Sequence, residues 1–594
     1  MTLETKEYTD VLIVGAGPAG LMLGVVLARL GVKFKIIDDR PSETSSGRAD
    51  GIQPKTLETF KQLGLLEQIE SQGVKIFDIT FWNPSTDGSD LVRTGREDHF
   101  PSVVDLRDPY ILLLHQGIVE KAFTNDLKLR DFEVERNQKF ISYSINDSNA
   151  YQVQSEIVDS TNGQHFVTSS KYIVGCDGTR SAVRASMPNS QVNADTTDLR
   201  WAVIDGVLNT DFPDFWSKTV IRSQNNGTIL GIPRERGLTR LYIELPGDFE
   251  HEDLVTAQPV IMEKARNIIS PFKLEWDIVE WFSIYRVRQG VTTSFIDRSR
   301  AFILGDASHT HSANAAQGMN VSMHDSWNLG WKLALVIKNI GSPRLLETYE
   351  QERMKVAHDL INFDKVHTKA FKKGDPVELA KNFEQNVKFI SGIGAEYDMN
   401  LLNKSSDNEL LVPGTLPPPV DAHRYVDANP VHMETDVPTL GQFKLYFAAK
   451  DFKMSEKFLQ KFSEKVQKSP FLNLYRIAKL DSNQIKLEKD LINHKRYTPI
   501  SQLFTVCLVT ESSKKEIELN ELPDFFKPYK WTVYLDDQEE RGPFQKWFPN
   551  STDSVSLLIL RPDGYIGASK SFGIDSDAVD AVEWLHNYFS PLLV

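Results

Sequence analysis

The first forty residues constrain this chain more than any other stretch. Asp10–Val14 (DVLIV) is a short, continuous apolar run, the pattern of a strand buried on both faces. It leads directly into Gly15-Ala16-Gly17-Pro18-Ala19-Gly20, after which Leu21–Leu30 reads as a helix and Lys35–Asp38 (KIID) as a second strand ending in acid. A strand, a helix and a second buried strand in this order fold as a parallel β-α-β unit. The glycines have separate tasks: Gly15 permits the tight turn, Gly17 lets backbone approach a pyrophosphate, and Gly20 lets the helix pack close to the strand. The helix N-terminus offers free N–H groups and partial positive charge to that anion. Asp38, followed by Asp39 and Arg40, stands where a carboxylate accepts hydrogen bonds from a ribose diol.

Two distant segments repeat the theme. Ala301–Asn320 (AFILGDASHTHSANAAQGMN) is an apolar run ending in Gly305-Asp306, then a small-residue loop that opens into an amphipathic segment, Met319–Ile337. Lys171–Arg184 (KYIVGCDGTRSAVR) is another apolar strand that ends at Gly175, with Asp177-Gly178 and a basic helix start behind it. One Asp-Gly is an ordinary turn dipeptide. Three corners from strand to acid in one chain point to one shared ligand, a polyol phosphate joined to an electron-poor ring.

Together these segments resemble the single-component (class A) flavoprotein aromatic hydroxylases. Ser46–Leu65 (SGRADGIQPKTLETFKQLGL), Arg424–His432 (RYVDANPVH) and Gly318–Leu333 (GMNVSMHDSWNLGWKL) look like the phenol 2-monooxygenase branch. The resemblance spans nearly the whole chain. It implies an α/β fold: a p-hydroxybenzoate hydroxylase-like FAD domain, an antiparallel-sheet substrate domain, and a C-terminal thioredoxin-like domain. It also implies FAD as cofactor, NADPH or NADH as a transient electron donor, and O2 as co-substrate. The reaction implied is hydroxylation of a phenolic ring through a flavin C4a-hydroperoxide, and the implied assembly is a homodimer.

The chain's segments divide accordingly. Residues 1–75, 108–182 and 295–405 are expected to form a discontinuous FAD domain, with helix from Ile111 to Phe123. Residues 76–107 and 183–294 form the substrate domain, where Trp201–Leu208, Thr239–Leu245 and Asp277–Tyr285 alternate as strands of one antiparallel sheet. The Pro-rich stretch Val412–Pro419 (VPGTLPPP) marks a boundary. Residues 420–594 form the third unit, with an expected hairpin at Asp563-Gly564 and a final helix Ala578–Phe589. It lacks Cys-x-x-Cys, which leaves it a structural or dimer-supporting role. Lys450–Lys468 reads as a solvated helix face.

Composition narrows the partners. The formal charge of −14 argues against nucleic acid or an anionic membrane, and no run approaches the length of a spanning helix. Two cysteines, Cys176 and Cys507, form no disulfide framework, and Met1–Asp10 has no apolar signal core; a cytoplasmic protein is expected. His309, His311 and His324 lack a converging carboxylate or cysteine set, so no metal is expected.

The resemblance also implies roles for residues. Asp50 falls at an active-site carboxylate that accepts the phenol proton or polarises a tyrosine that does so. Tyr285 is similar to a tyrosine that meets flavin and substrate. Arg286 and Arg288 are candidates for contact with flavin or nicotinamide, Arg288 being counted with the catalytic set; which of them points inward is not decided by sequence. The ribityl chain falls to Gly305-Asp306, and the pyrimidine end of the ring to Ala316, Gln317, Gly318, Met319 and Asn320. Arg48, Ala49, Gln116 and Asp177 complete the implied cofactor contacts. The chain departs from the family in the loop after Asp306, where Ala313 and Ala316 stand in place of Pro and Gly. A hydroxybenzoate is an alternative substrate, including hydroxylation with loss of CO2, and Arg222, His251 or Arg288 would then meet its carboxylate. A halogenase on the same fold needs a Trp-x-Trp-x-Ile-Pro segment that is absent. A non-catalytic FAD-bound interaction protein is the remaining alternative.

Overall fold

The computed structural model describes residues 5–594 apart from 86–89, 247, 248, 250–252, 313–315, 374, 375, 440, 471–493 and 539. Its largest α/β layer is an eight-stranded sheet whose main path runs Ile296–Asp297, Ala301–Ile303, Gln164–Gly175, Thr5–Val14, Phe34–Ile37 and Val134–Glu135. The central pairs are parallel, and Val14 lies opposite Gly175, which lies opposite Ile303. Thus the three strands that end in acidic corners stop side by side at one edge of the sheet. Helix Pro18–Arg29 follows the first of them, with Pro18 at its start, a position where the missing N–H costs nothing.

Helix Gly318–Ile337 lies in the middle of the molecule. Its sequence reads as amphipathic, but nearly every residue from Met319 to Val336 is buried. One side packs on helix Pro18–Arg29, where an added Cβ at Gly330 would sit 2.6 Å from Val26. The other side faces helix Glu347–Lys373 and the C-terminal unit, so both its faces are covered. A second correction concerns 111–123: Ile111–Leu113 is a strand, and the helix begins only at Gln116, capped by His115, whose Nδ1 accepts from the Gly117 N–H at 3.0 Å.

The second sheet also has eight strands. From one edge they run His309–Thr310, Leu274–Thr292, Val192–Thr210, Thr239–Leu245, Gly227–Pro233, Lys218–Ser223, Asp78–Pro84 and Leu91–Asp98. All neighbours are antiparallel except Lys218–Ser223 beside Asp78–Pro84, which are parallel. Helix Leu254–Ile269 covers one face, burying Ala257, Ile261, Ala265 and Ile268. The pairing of Gly290 and Val291 with Thr310 and His309 ties this sheet to the loop after Asp306.

The C-terminal unit carries a seven-stranded mixed sheet. Phe443–Ala449, Phe504–Thr510 and Val533–Leu535 are parallel, while Ser554–Leu560 and Ile566–Gly573 form the antiparallel hairpin, with Gly564 at φ +88°. Helix Phe452–Val466 buries Phe458, Leu459 and Phe462 and turns its lysines outward. Helix Ala578–Phe589 packs against it.

A buried ionic cluster joins this unit to the rest. Arg561 reaches out of the hairpin and donates to both oxygens of Glu352, at 2.6 and 2.9 Å, and to Asp563. Glu352 also receives Lys332 Nζ and Asn328 Nδ2, both at 2.7 Å. Arg561, Lys332 and Glu352 are each fully buried. Burial alone would raise the Glu352 pKa, but the two cations hold it well below the carboxylate range. Removing one partner strands the others: Arg561→Leu is expected to lower folding stability by about 3–5 kcal/mol, read from the denaturant midpoint of the holoenzyme.

Candidate active site

The edge where the three strands end is a cleft of about 540 Å³. Gly15, Gly17, Pro18, Ala19, Asp38, Asp39, Arg40, Arg48, Ala49, Gln116, Asp177, Asp306, Gly318 and Met319 all line it. Residues from six separate stretches of sequence therefore share one cavity. Gly15 sits at φ +101°, and an added Cβ would lie 2.4 Å from the Cys176 carbonyl. At Gly20 it would lie 1.9 Å from the Gly15 carbonyl, while at Gly17 it would meet nothing within 4 Å. Two glycines are thus demanded by close packing, and the third leaves its backbone bare to the cleft.

The acids differ in what they hold. One oxygen of Asp38 accepts the Ala16 N–H at 2.6 Å, and the carboxylate is gripped by Arg40 through Nε at 2.9 Å and Nη2 at 3.0 Å. Burial pushes its pKa up, and these donors more than reverse that. Asp177 accepts from Ser181 Oγ, Ala182 N and Val183 N, so its carboxylate caps the short helix behind it. Of the three corner acids Asp38, Asp177 and Asp306, only the last is exposed, and it lines both this cleft and a second cavity beside it. Its corner is fixed from below: Gly305, at φ +57°, donates its N–H to Asp325 at 2.9 Å, and Asp325 also pairs with His309 at 3.0 Å and Arg353 at 2.6 Å.

The loop after this corner is held by side chains. Asp364 accepts the Ser312 N–H and the Gln289 amide, each at 2.7 Å. Ala313 lies outside the described residues. Ala316 adopts φ +51°, the left-handed region that glycine enters freely, which is the physical reason for a glycine there in the resembled family. Asn320 clamps the loop to its neighbour: it accepts the Gln53 N–H at 2.9 Å and donates to the Gly51 and Ala316 carbonyls at 2.8 and 2.7 Å. Ala316 also touches Gly51, where an added Cβ would come within 2.7 Å of the Ala316 methyl. The Gln317 side chain points away, donating to the Ile390 carbonyl. Hence Gly318 and Met319 line the cleft, while Ala316, Gln317 and Asn320 are not among its lining residues.

Asp50 lies behind this loop, 4% exposed, in a charged cluster that the sequence reading missed. Arg240 Nη1 stands 3.0 Å from Asp50 Oδ2 and grips Asp205 through Nε at 2.6 Å and Nη2 at 2.7 Å. Arg234 lies 3.6 Å from both Asp50 and Asp205 and pairs with Glu235. The Tyr242 hydroxyl donates to Asp50 at 3.5 Å. Burial first, and then the Asp50 charge, pushes the Tyr242 pKa up to about 12. Arg240 further donates to the carbonyl of Arg48, itself at φ +69°, and so ties the cluster to the first cleft. The available signal was the Arg-x-Tyr spacing in Thr239–Leu245, which places Arg240 and Tyr242 on one face of a strand.

Tyr285 pairs with Trp201 across the sheet, and its hydroxyl is buried without a partner among the described residues. It lines the second cavity, of about 590 Å³, together with Arg180, Arg184, Arg286, Arg288, His309 and Asp306. Arg286 and Arg288 are both exposed there; Val287 and Gln289 take the buried side of the strand. Arg288 therefore stands with the other arginines rather than beside Asp50. Of the histidines, His309 bonds to Asp325, His324 to Thr56 Oγ1 at 3.0 Å, and His311 to the Ser312 carbonyl. Among the described residues no group of three or more ligating side chains is placed to hold a metal, and no helix is long and apolar enough to cross a membrane.

Known proteins share this chain's sequence pattern and fold. Residues 8–364 match the FAD binding domain family, and residues 395–594 match the phenol hydroxylase C-terminal dimerisation domain. The chain is 31% identical over 629 residues to the 3-hydroxybenzoate 4-monooxygenase of Comamonas testosteroni, covering 95% of this chain and 93% of that one. It is 29% identical over 615 residues to the phenol 2-monooxygenase fsqG of Aspergillus fumigatus (strain ATCC MYA-4609 / CBS 101355 / FGSC A1100 / Af293), covering 98% and 97%. The crystal structure of the flavin-dependent monooxygenase PieE with FAD and substrate shares the fold at a TM-score of 0.70 and 17% identity, over 99% of this chain and 100% of that one. With a cleft of this shape and a family match over most of its length, the chain belongs to the class A flavoprotein aromatic hydroxylases, enzymes that use FAD.

Proposed function

We propose that this enzyme hydroxylates a phenolic ring held between Asp50 and Tyr285, with FAD in the 540 Å³ cleft and NAD(P)H as donor. The observation that supports this most directly is the buried Asp50–Arg240–Tyr242 cluster set against the FAD-side loop. The cleft fits the cofactor on its own features. Gly17 bares backbone to it, Asp306 offers a free-standing carboxylate for a polyol, and the N-terminus of helix Gly318–Ile337 opens into it.

Reduced FAD, when bound, would supply the activation of O2, one atom of which enters the ring while the other leaves as water. This chain's residues do the rest. A phenol is activated toward electrophilic oxygen when its hydroxyl proton is removed, and that proton needs an acceptor already charged. Asp50 Oδ2 serves as that acceptor, with Arg240 Nη1 3.0 Å from it. Tyr242 is the relay: its raised pKa disfavours a free tyrosinate, so it passes one proton to Asp50 as it takes another. Trp201, Val203 and Val287 are buried in one apolar cluster with Tyr285 packed against it, which would exclude water from a ring held there.

The second cavity is proposed as the donor site. Arg180, Arg286 and Arg288 line it with positive charge suited to a dinucleotide's phosphates, and Asp306 marks where it meets the flavin cleft. Arg184 is fixed there by bonds to the Ala307 and Thr179 carbonyls. The match of residues 395–594 to a dimerisation domain supports a homodimer.

Two experiments test these assignments. Asp50→Asn should slow hydroxylation by about 100-fold or more while the protein keeps its FAD absorbance; parallel loss of both would remove Asp50 from the proton path. Arg180→Met and Arg288→Met should each raise the KM for NAD(P)H about tenfold and leave the aromatic KM in place. An unchanged donor KM in both would move the donor site elsewhere.

A further inference from the structure

Two successive residues of helix Glu347–Lys373 grip two different parts of the molecule. Arg353 donates through Nε to Asp325 Oδ1 at 2.6 Å, and Asp325 Oδ2 accepts the N–H of Gly305 at 2.9 Å, one residue before Asp306. Glu352, its neighbour in sequence, accepts Arg561 of the C-terminal hairpin on both oxygens, at 2.6 and 2.9 Å. The flavin corner and the C-terminal unit are therefore held by adjacent positions on one helix. All four side chains, Asp325, Glu352, Arg353 and Arg561, are buried to 2% exposure or less.

Neutral groups join the two ion pairs directly. The Tyr397 hydroxyl accepts from Arg353 Nη1 at 3.2 Å and from Asn328 Nδ2 at 3.4 Å, and the same Asn328 nitrogen donates to Glu352 at 2.7 Å. Arg353 Nη2 also donates to the Val321 carbonyl at 3.3 Å, in the first turn of the helix whose start lines the cleft. Asn403 closes the far side, accepting from Arg561 at 2.7 Å and donating to Glu352 at 3.3 Å. Residues 8–364 and 395–594, which match two separate families, thus meet in one unbroken polar network. Away from water an ion that shifts strands its partner, so the members of such a network hold their places together. The corner at its end needs that support. Gly305 sits at φ +57°, and the Asp306 carboxylate has no hydrogen-bond partner among the described residues, so its direction is set by its own backbone.

We infer that Arg353 is a positioning residue for FAD, that Arg561 acts on the flavin corner through Glu352, Tyr397 and Arg353, and that docking of the C-terminal unit and binding of FAD therefore strengthen one another. Arg353 touches no cofactor; it fixes Asp325, which fixes Gly305, which aims Asp306 into the cleft. A coupling of this kind is reciprocal: whatever the docked C-terminal unit adds to FAD affinity, bound FAD returns to the docking. The unit that lacks Cys-x-x-Cys thereby gains a part in cofactor retention, exerted through a helix of the FAD domain.

The test measures FAD affinity in the full-length holoenzyme, from the fluorescence of FAD released on dilution. Arg561→Lys keeps the charge and loses the two-pronged grip on Glu352, and it should raise the Kd for FAD about tenfold. Leu585→Ala, which empties a buried site of the same unit outside the network, should lower the melting temperature and leave the Kd within about twofold. An unchanged Kd in Arg561→Lys overturns the inference, as does an equal rise in both variants, since that reduces the network to general stability. Arg353→Lys should also weaken FAD, and adding Arg561→Lys to it should cost less than about threefold more; fully multiplicative losses would make the two arginines independent and overturn the inference. Should Arg561→Lys fail to fold, the wild type decides. Reloading the FAD-stripped protein with FAD should slow amide hydrogen exchange in Ser554–Leu560 and Ile566–Gly573 more than in helix Phe452–Val466 of the same unit, and equal slowing or none overturns the inference.

Discussion

Everything at the active site depends on the parallel register that stops Val14, Gly175 and Ile303 side by side. Parallel neighbours expose their carboxyl ends at one edge of a sheet, and whatever follows each strand must turn there. Three turns separated by well over a hundred residues of sequence are thereby forced into one cleft. The glycines at those turns follow from the crowding: Gly15 has no room for a side chain against Cys176, nor Gly20 against Gly15. The cofactor cleft is thus a geometric result of strand pairing, and its charged groups are additions to it.

The second layer obeys a different rule. There the sheet is antiparallel almost throughout, and its inner face is apolar except at a few places where charge is concentrated. Asp50, Asp205 and Glu235 face Arg234 and Arg240 with little solvent between them. Such a cluster is stable only while each member has its partners, which makes it rigid and holds Asp50 in one position without water. A base maintained in this way can lie under an apolar chamber.

The sequence disclosed the features governed by local chemistry. The three strand-to-acid corners, the Asp563-Gly564 hairpin and the outward lysines of helix Phe452–Val466 each follow from spacing or turn residues within a few positions. Features that need the tertiary register were hidden. Arg240 and Tyr242 gain meaning only when Thr239–Leu245 lies over Asp50. The helix Gly318–Ile337 misled for a related reason: its polar face meets Arg353, Glu352 and the C-terminal hairpin instead of solvent. Ile111–Leu113 is apolar enough for a helix or a strand, and its pairing with Gly51–Ile52 decided the matter.

The contact between Gly51 and Ala316 makes two remote positions share one small volume. One methyl group fits there, and it is carried by residue 316, in a backbone conformation that would be easier for glycine. A side chain at 51 would require that methyl to leave, and its departure would free the backbone of the loop that faces the ring. The identities of these two residues are therefore one joint choice, in which the stiffness of the flavin-side loop is set by how the shared space is divided.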